Sequence, residues 1–193
     1  MNHTDLRIRL QTEEEICQIY EERLQYDFPP AERKPLSAIL QSNRAGTYRA
    51  FGVYKESLCV AYAYFVAIPE SDWMLLDYYA VRDDLRGTGI GSWFLERLHT
   101  LEPDSPVILL EIDEPEFAET PEERELCLRR AHFYRRAGAQ FSNVVATTFG
   151  VPYRLLTFSP LPVSDETVAM QYEIIYRRML GTRFESAIQI EYR

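Results

Sequence analysis

Residues 81–92 read Val-Arg-Asp-Asp-Leu-Arg-Gly-Thr-Gly-Ile-Gly-Ser, and this glycine-punctuated passage constrains the fold more than any other stretch. It follows an aromatic and β-branched run, Trp73–Val81, with the character of a strand. It opens an amphipathic run from Ile90 that places Phe94, Leu95 and Leu98 on one helical face. A chain leaving a strand through Gly87, Gly89 and Gly91 can turn with its amide N–H groups pointing inward, and the first helical turn leaves further donors without partners. Together these make a nest for a pyrophosphate, favoured by the helix dipole. The spacing excludes two common phosphate loops. No Gly-Lys-Ser/Thr is present, and the glycines alternate as GxGxG, not GxGxxG. The plainer reading of the same glycines is a tight turn.

The rest of the chain reads as mixed α/β (α+β). A short strand, Leu6–Leu10, precedes a helix that Thr12 and Glu15 open as a capping box, and that should stop before Asp27-Phe28-Pro29-Pro30. A second short helix holds Leu36, Ile39 and Leu40. Strands are expected at Tyr48–Tyr54, Leu58–Ile68 and Trp73–Val81, joined by turns at 55–57 and 69–72. Val107–Ile112 is a continuous apolar run suited to a strand buried on both faces, parallel to the strand before the glycine loop. A helix over Pro121–Arg136 ends at Gly138, strands follow near Val144–Phe149 and Arg154–Phe158, and a helix from Ser164 buries Val168, Tyr172, Ile175 and Met179 up to Gly181. Ala187–Tyr192 closes the chain as a strand. The expectation is one domain over residues 1–193, with a C-terminal helix and strand extension from about residue 160.

Composition removes several classes of function. An apolar fraction of 46% and 13% aromatics exclude a disordered chain. No stretch is long or apolar enough to span a bilayer, and Met1–Leu6 lacks the order of a signal peptide. Three scattered cysteines, Cys17, Cys59 and Cys127, predict buried reduced thiols and a cytoplasmic location. No metal-ligand spacing is present, and His3, His99 and His132 read as surface residues. A net charge of −9 argues against nucleic acid and is compatible with a cationic acceptor.

The pattern Arg-x-x-Gly-x-Gly at Arg86, Gly89 and Gly91, after the strand end Asp77–Val81, resembles the pyrophosphate loop of the GNAT superfamily of N-acetyltransferases. In element order the resemblance runs from about Leu6 to Phe158, and it is specific over Asp77–Ser92 and Ala131–Gly138. It implies a mostly antiparallel central sheet with a splayed parallel strand pair, flanked by helices, and acetyl-CoA as cosubstrate. It further implies that amides of Arg86, Gly87, Thr88, Gly89, Ile90 and Gly91 bind the pyrophosphate, and that Tyr79, Ala80 and Val81 pair with the pantetheine arm. In the helix Arg129–Arg136, Ala131 and Tyr134 match an Ala-x-x-Tyr whose hydroxyl serves as general acid to the CoA sulfur. The alternative is a tyrosine that anchors the helix. The family's asparagine two turns earlier is Cys127 here.

Attack by an amine also calls for a base. Asp77 shares its strand face with Tyr79 and Val81, and Glu111 closes the buried run Ile108–Leu110, which favours it through desolvation. Each reads equally as a structural carboxylate. Residues Tyr26–Pro30 and the acidic loop Glu114–Pro121 are placed to rim the acceptor, and Arg129, Arg130, Arg135 and Arg136 form a solvated face. The reaction expected is acetyl transfer to a primary amine in a ternary complex. Use of a longer acyl-CoA and a CoA sensor without turnover are its rivals. The final helix and strand offer a homodimer contact.

Overall fold

The structure, a computed structural model, describes residues 5–69, 71–101 and 107–193. His3, Glu70 of the second turn and the side chain of His99 lie outside the described residues. The fold is mixed α/β, with eight mostly antiparallel strands and one parallel pair.

Two compact units make up the chain. One holds the described residues up to Pro69 and Leu76–Phe94, the other Ser71–Leu75 and the described residues from Leu95. The first begins with β1 (Leu6–Leu10) and α1 (Glu13–Ile19). The capping box is present: Thr12 Oγ1 accepts from the Glu15 amide and Glu15 accepts from the Thr12 amide at 2.9 Å. The helix runs one residue further than expected and ends before Phe28, the residue preceding Pro29, where the proline favours extended backbone. A π-helical turn, Tyr20–Leu24, carries it into α2 (Gln25–Asp27), so Asp27 is helical and the extended backbone begins at Phe28. An extra residue per turn is a local signal that sequence periodicity does not carry. Next come α3 (Leu36–Arg44), β2 (Tyr48–Lys55), β3 (Leu58–Ala67) and β4 (Trp73–Val81), in the order β1-β2-β3-β4, and then the start of α4 (Ile90–Leu101). Tyr62 and Tyr64 of β3 are fully buried, and each hydroxyl is satisfied, by Asp27 at 2.9 Å and Gln11 at 2.7 Å.

The second unit uses the first part of β4, β5 (Val107–Asp113), α5 (Pro121–Arg136), β6 (Gln140–Thr148), β7 (Val151–Phe158), α6 (Asp165–Leu180), α7 (Phe184–Ala187) and β8 (Ile188–Tyr192). Its strand order is β4-β5-β7-β6-β8, with β4 and β5 parallel. The helices α4, α5 and α6 begin where the sequence places them, with a second capping box at Thr120 and Glu123 and Ser164 as N-cap. The hairpin β6–β7 differs from expectation. β6 starts at Gln140, because Ser142 and Asn143 sit in a bulge within it, and Phe149 leaves the strand to form the turn. Phe149 and Gly150 both have positive φ, 50° and 87°, the pair of angles a two-residue type I′ turn requires. Of the cysteines, Cys127 alone is buried; Cys17 and Cys59 are half-buried, and all three are free thiols. No helix among the described residues is long and apolar enough to cross a membrane.

Arg9 donates to Glu15 at 2.5 Å, and this bond chiefly holds the Glu15 carboxyl at about 2 against an ordinary 4.5. A carboxyl depressed by folding stabilises above its unfolded pKa and loses that contribution as pH falls through its folded one. Urea unfolding of the wild type should therefore weaken between about pH 4.5 and 2. The Glu15→Gln variant should lose less over the same interval.

Candidate active site

The end of β4 and the start of α4 lie in the first unit, and the loop between them has the geometry of a donor nest. After Val81 the chain makes a 3-10 turn, Asp83–Leu85, and Gly87 and Gly89 take φ of 78° and 90°. Two of the amides between Arg86 and Gly91 are used inside the loop, Arg86 N–H on Asp83 O at 3.2 Å and Thr88 N–H on Leu85 O at 3.3 Å. Among the described residues, the N–H groups of Gly87, Gly89, Ile90 and Gly91 have no backbone acceptor. The first bond into α4 runs from Trp93 N–H to Gly89 O at 2.9 Å, so the unpaired donors are those at the positive end of the helix. A β-carbon built on Gly87 would meet nothing within 4 Å, which leaves that face of the loop open.

Tyr79 and Arg86 brace the nest. The Tyr79 hydroxyl donates to Gly91 O at 2.6 Å and its ring lies 5.6 Å from that of Phe94, so β4 and α4 are tied at the loop. Arg86 Nε donates to Val81 O at 3.3 Å. Its guanidinium pairs with Asp83 at 2.6 Å and with Asp27 at 3.3 Å. Asp27 also accepts from Tyr62 and pairs with Arg23 at 3.5 Å, while Arg23 stands over the Tyr62 ring. Arg23 lies in the π-helical turn and Asp27 in α2 directly after it. Ala80 is buried, and Asp77, Tyr79 and Val81 fall on the same, half-buried face of β4, as a period of two dictates.

Asp77 is not alone on that face. One oxygen pairs with the Lys34 ammonium and the other accepts from the Tyr48 hydroxyl. Burial and the neighbouring carboxylate push the Tyr48 phenol well above its ordinary pKa, so it stays a donor. The Tyr78 hydroxyl accepts from the Lys34 amide at 2.7 Å and donates to Glu32 O at 2.9 Å.

The other two candidates lie in the second unit. Tyr134 of α5 shares its stripe with buried Cys127 and Ala131. The residue is half-buried, but desolvation pushes its phenol up to about 12, with opposed smaller effects from Arg130 and Asp113, which pair with each other. The hydroxyl has no hydrogen-bond partner among the described residues; its ring meets Phe133 edge-on at 5.2 Å. Glu111 has a different setting. Oε1 accepts from Tyr172 at 2.6 Å and Thr148 at 3.3 Å, and Oε2 accepts from Tyr176 at 2.9 Å. These donors come from β6 and α6, so the carboxylate fastens the C-terminal helix to β5. Arg129, Arg130, Arg135, Arg136 and His132 are exposed.

Lys34, Tyr48, Tyr78 and the tyrosines of α6 were not identified from sequence as site residues. Lys34 and Tyr48 lie 43 and 29 positions from Asp77, and Tyr172 and Tyr176 lie 61 and 65 from Glu111, and the only sequence trace of the tyrosines is their abundance. Among the described residues, no group of three or more His, Cys, Asp or Glu side chains could hold a metal ion.

No protein-family model matches the sequence, and no curated protein does. Solved structures do match. One, assigned to the GNAT family of acetyltransferases from Bacteroides thetaiotaomicron, is 20% identical with a TM-score of 0.69, covering 91% of this chain and 97% of its own. The ribosomal-protein-S18-alanine N-acetyltransferase of Escherichia coli is 18% identical, with a TM-score of 0.58 over 82% of this chain and 94% of its own. An aminoglycoside acetyltransferase in complex with coenzyme A is 18% identical, with a TM-score of 0.56 over 80% and 95%. What is shared at such identities is the fold, and it is the fold of the GNAT acetyltransferases.

Replacing Glu111 by Leu removes the carboxylate acceptor of two almost wholly buried tyrosines, Tyr172 and Tyr176, and leaves the Thr148 and Tyr172 hydroxyls to bond each other. The variant should lose about 2–3 kcal/mol in urea unfolding, whatever its effect on activity.

Proposed function

We propose that this chain is an acyltransferase, an acetyl-CoA-dependent N-acetyltransferase that moves the acetyl group to a primary amine by direct attack in a ternary complex. The observation that carries the reading is the row of amides at Gly87, Gly89, Ile90 and Gly91, without backbone acceptors among the described residues, where β4 passes into α4. Backbone donors at a helix start hold a diphosphate without a lysine. Support comes from the fold, shared with acetyltransferases, one of them in complex with coenzyme A.

In this reading the loop holds the pyrophosphate and Tyr79–Val81 hold the pantetheine arm. The amine nitrogen forms a bond to the thioester carbonyl carbon, the C–S bond breaks, and the thiolate needs a proton. Tyr134 is suited to give it. Its phenol is protonated at neutral pH, and its hydroxyl is spent on no other partner among the described residues. The nitrogen's proton goes to a carboxylate, directly or through water. Asp77 is the better candidate, since Glu111 is already engaged by hydroxyls of its own unit that fasten α6 to β5.

Calorimetry with coenzyme A and thiol release from acetyl-CoA across a panel of primary amines test the reading. Tyr134→Phe should lower kcat by about 100-fold while leaving coenzyme A affinity unchanged. Gly89→Val, which forces a branched side chain to φ 90°, should weaken coenzyme A binding. Binding with no turnover on any amine would mark a sensor, and an absence of binding would end the assignment.

A further inference from the structure

The tyrosine-rich end of the first unit already holds an amine, and the chain supplies it. The Lys34 ammonium pairs with Oδ1 of Asp77, Tyr48 donates to Oδ2, and the ring of Tyr78 stands 5.7 Å from Nζ. The Asp77 side chain is 7% exposed and that of Lys34 31% exposed, so the anion is buried and its cation reaches in from the wet side. The backbone around Lys34 is held separately. Its amide is bound by Tyr78, its carbonyl accepts from Tyr20 at 3.1 Å, and Glu32 O is bound by Tyr78. The side chain can therefore leave Asp77 without releasing the segment that carries it.

We propose that Asp77, Tyr48 and the ring of Tyr78 form a cation subsite for the ammonium group of the acceptor, and that Lys34 occupies it as a placeholder until the acceptor displaces it. A buried carboxylate deprived of its cation is costly, so the site must stay filled. Exchanging one primary ammonium for another keeps the charge pair and the cation–π contact, and leaves the desolvation of Asp77 unchanged. The ligand class follows from the occupant: a primary alkylammonium, with N–H donors for the carboxylate and an unbranched apolar stem. A quaternary ammonium lacks the donors. That the displacing ligand is the acetyl acceptor rests on the acetyltransferase reading; that the subsite binds alkylammonium ions does not. Bound there, the ammonium gives one proton to water beside it, the neutral nitrogen attacks the thioester carbonyl carbon as the C–S bond breaks, and Asp77 takes the nitrogen's second proton while the departing thiolate is protonated as in the acetyltransferase reading.

The test is thermal unfolding of Lys34→Ala in n-butylammonium chloride, against equal concentrations of sodium chloride and tetramethylammonium chloride. The variant should melt below the wild type. n-Butylammonium should raise its Tm saturably, by about 2–4 °C, and should do so neither in the wild type nor in the Lys34→Ala, Asp77→Asn double variant. Lys34→Gln, which keeps a hydrogen bond to Asp77, replaces the alanine variant if that one does not fold. With acetyl-CoA present, removing the placeholder should lower KM for n-butylamine about 10-fold with KM for acetyl-CoA unchanged. Stabilisation no greater than that by sodium chloride, or equal stabilisation of the double variant, overturns the proposal. Rescue by n-butylammonium in a protein that does not bind coenzyme A would leave the subsite standing and remove the acetyltransferase reading alone.

Discussion

Phenol-to-carboxylate hydrogen bonds hold this protein's polar interior together. Asp27 is met by Tyr62, Asp77 by Tyr48, and Glu111 by Tyr172 and Tyr176. A carboxylate withdrawn from water is destabilising unless donors replace the lost hydration, and a tyrosine brings a donor on a large apolar body. The fold can thus draw acids toward its core without disrupting the packing. The arrangement also assigns roles. Glu111 accepts from three neutral hydroxyls on elements of its own unit, which makes it a fastener. Asp77 has one neutral partner and one charged partner on a flexible stem, which leaves half of its coordination exchangeable.

The loop between β4 and α4 follows a complementary logic. There the backbone is left under-satisfied, and side chains brace it from outside. Tyr79 fixes Gly91, and Arg86 fixes Val81 and reaches Asp27. Gly87 and Gly89 give up side-chain packing for positive φ, and a Cβ built on Gly87 would meet nothing within 4 Å. Bracing of this kind orients donors before a ligand arrives, which lowers the ordering cost of binding.

Much of the architecture was legible because local rules agreed with one another. A capping box at Thr12 and the N-cap Ser164 marked helix starts, and continuous or alternating apolar runs marked β4 and β5. Where local signals were ambiguous the reading slipped. A phenylalanine at φ 50° in the β6–β7 turn is disfavoured by its own chemistry, and only hairpin closure around it selects that conformation. The π-helical turn leaves the apolar spacing of α1 almost unchanged and announced itself only through its result, the helical Asp27.

The candidate site divides in the same way. Composition and order along the chain determined the strand–glycine loop–helix passage, the stripe that carries Tyr134, and the two carboxylates worth considering, because each rests on spacing within a few residues. Which carboxylate is sealed and which is exchangeable was decided by partners 29 to 65 positions away, Tyr48, Lys34, Tyr172 and Tyr176. Hydrogen bonding at such separations depends on strand order and helix docking. No periodicity in the sequence encodes those distances, so the tertiary structure alone could set them.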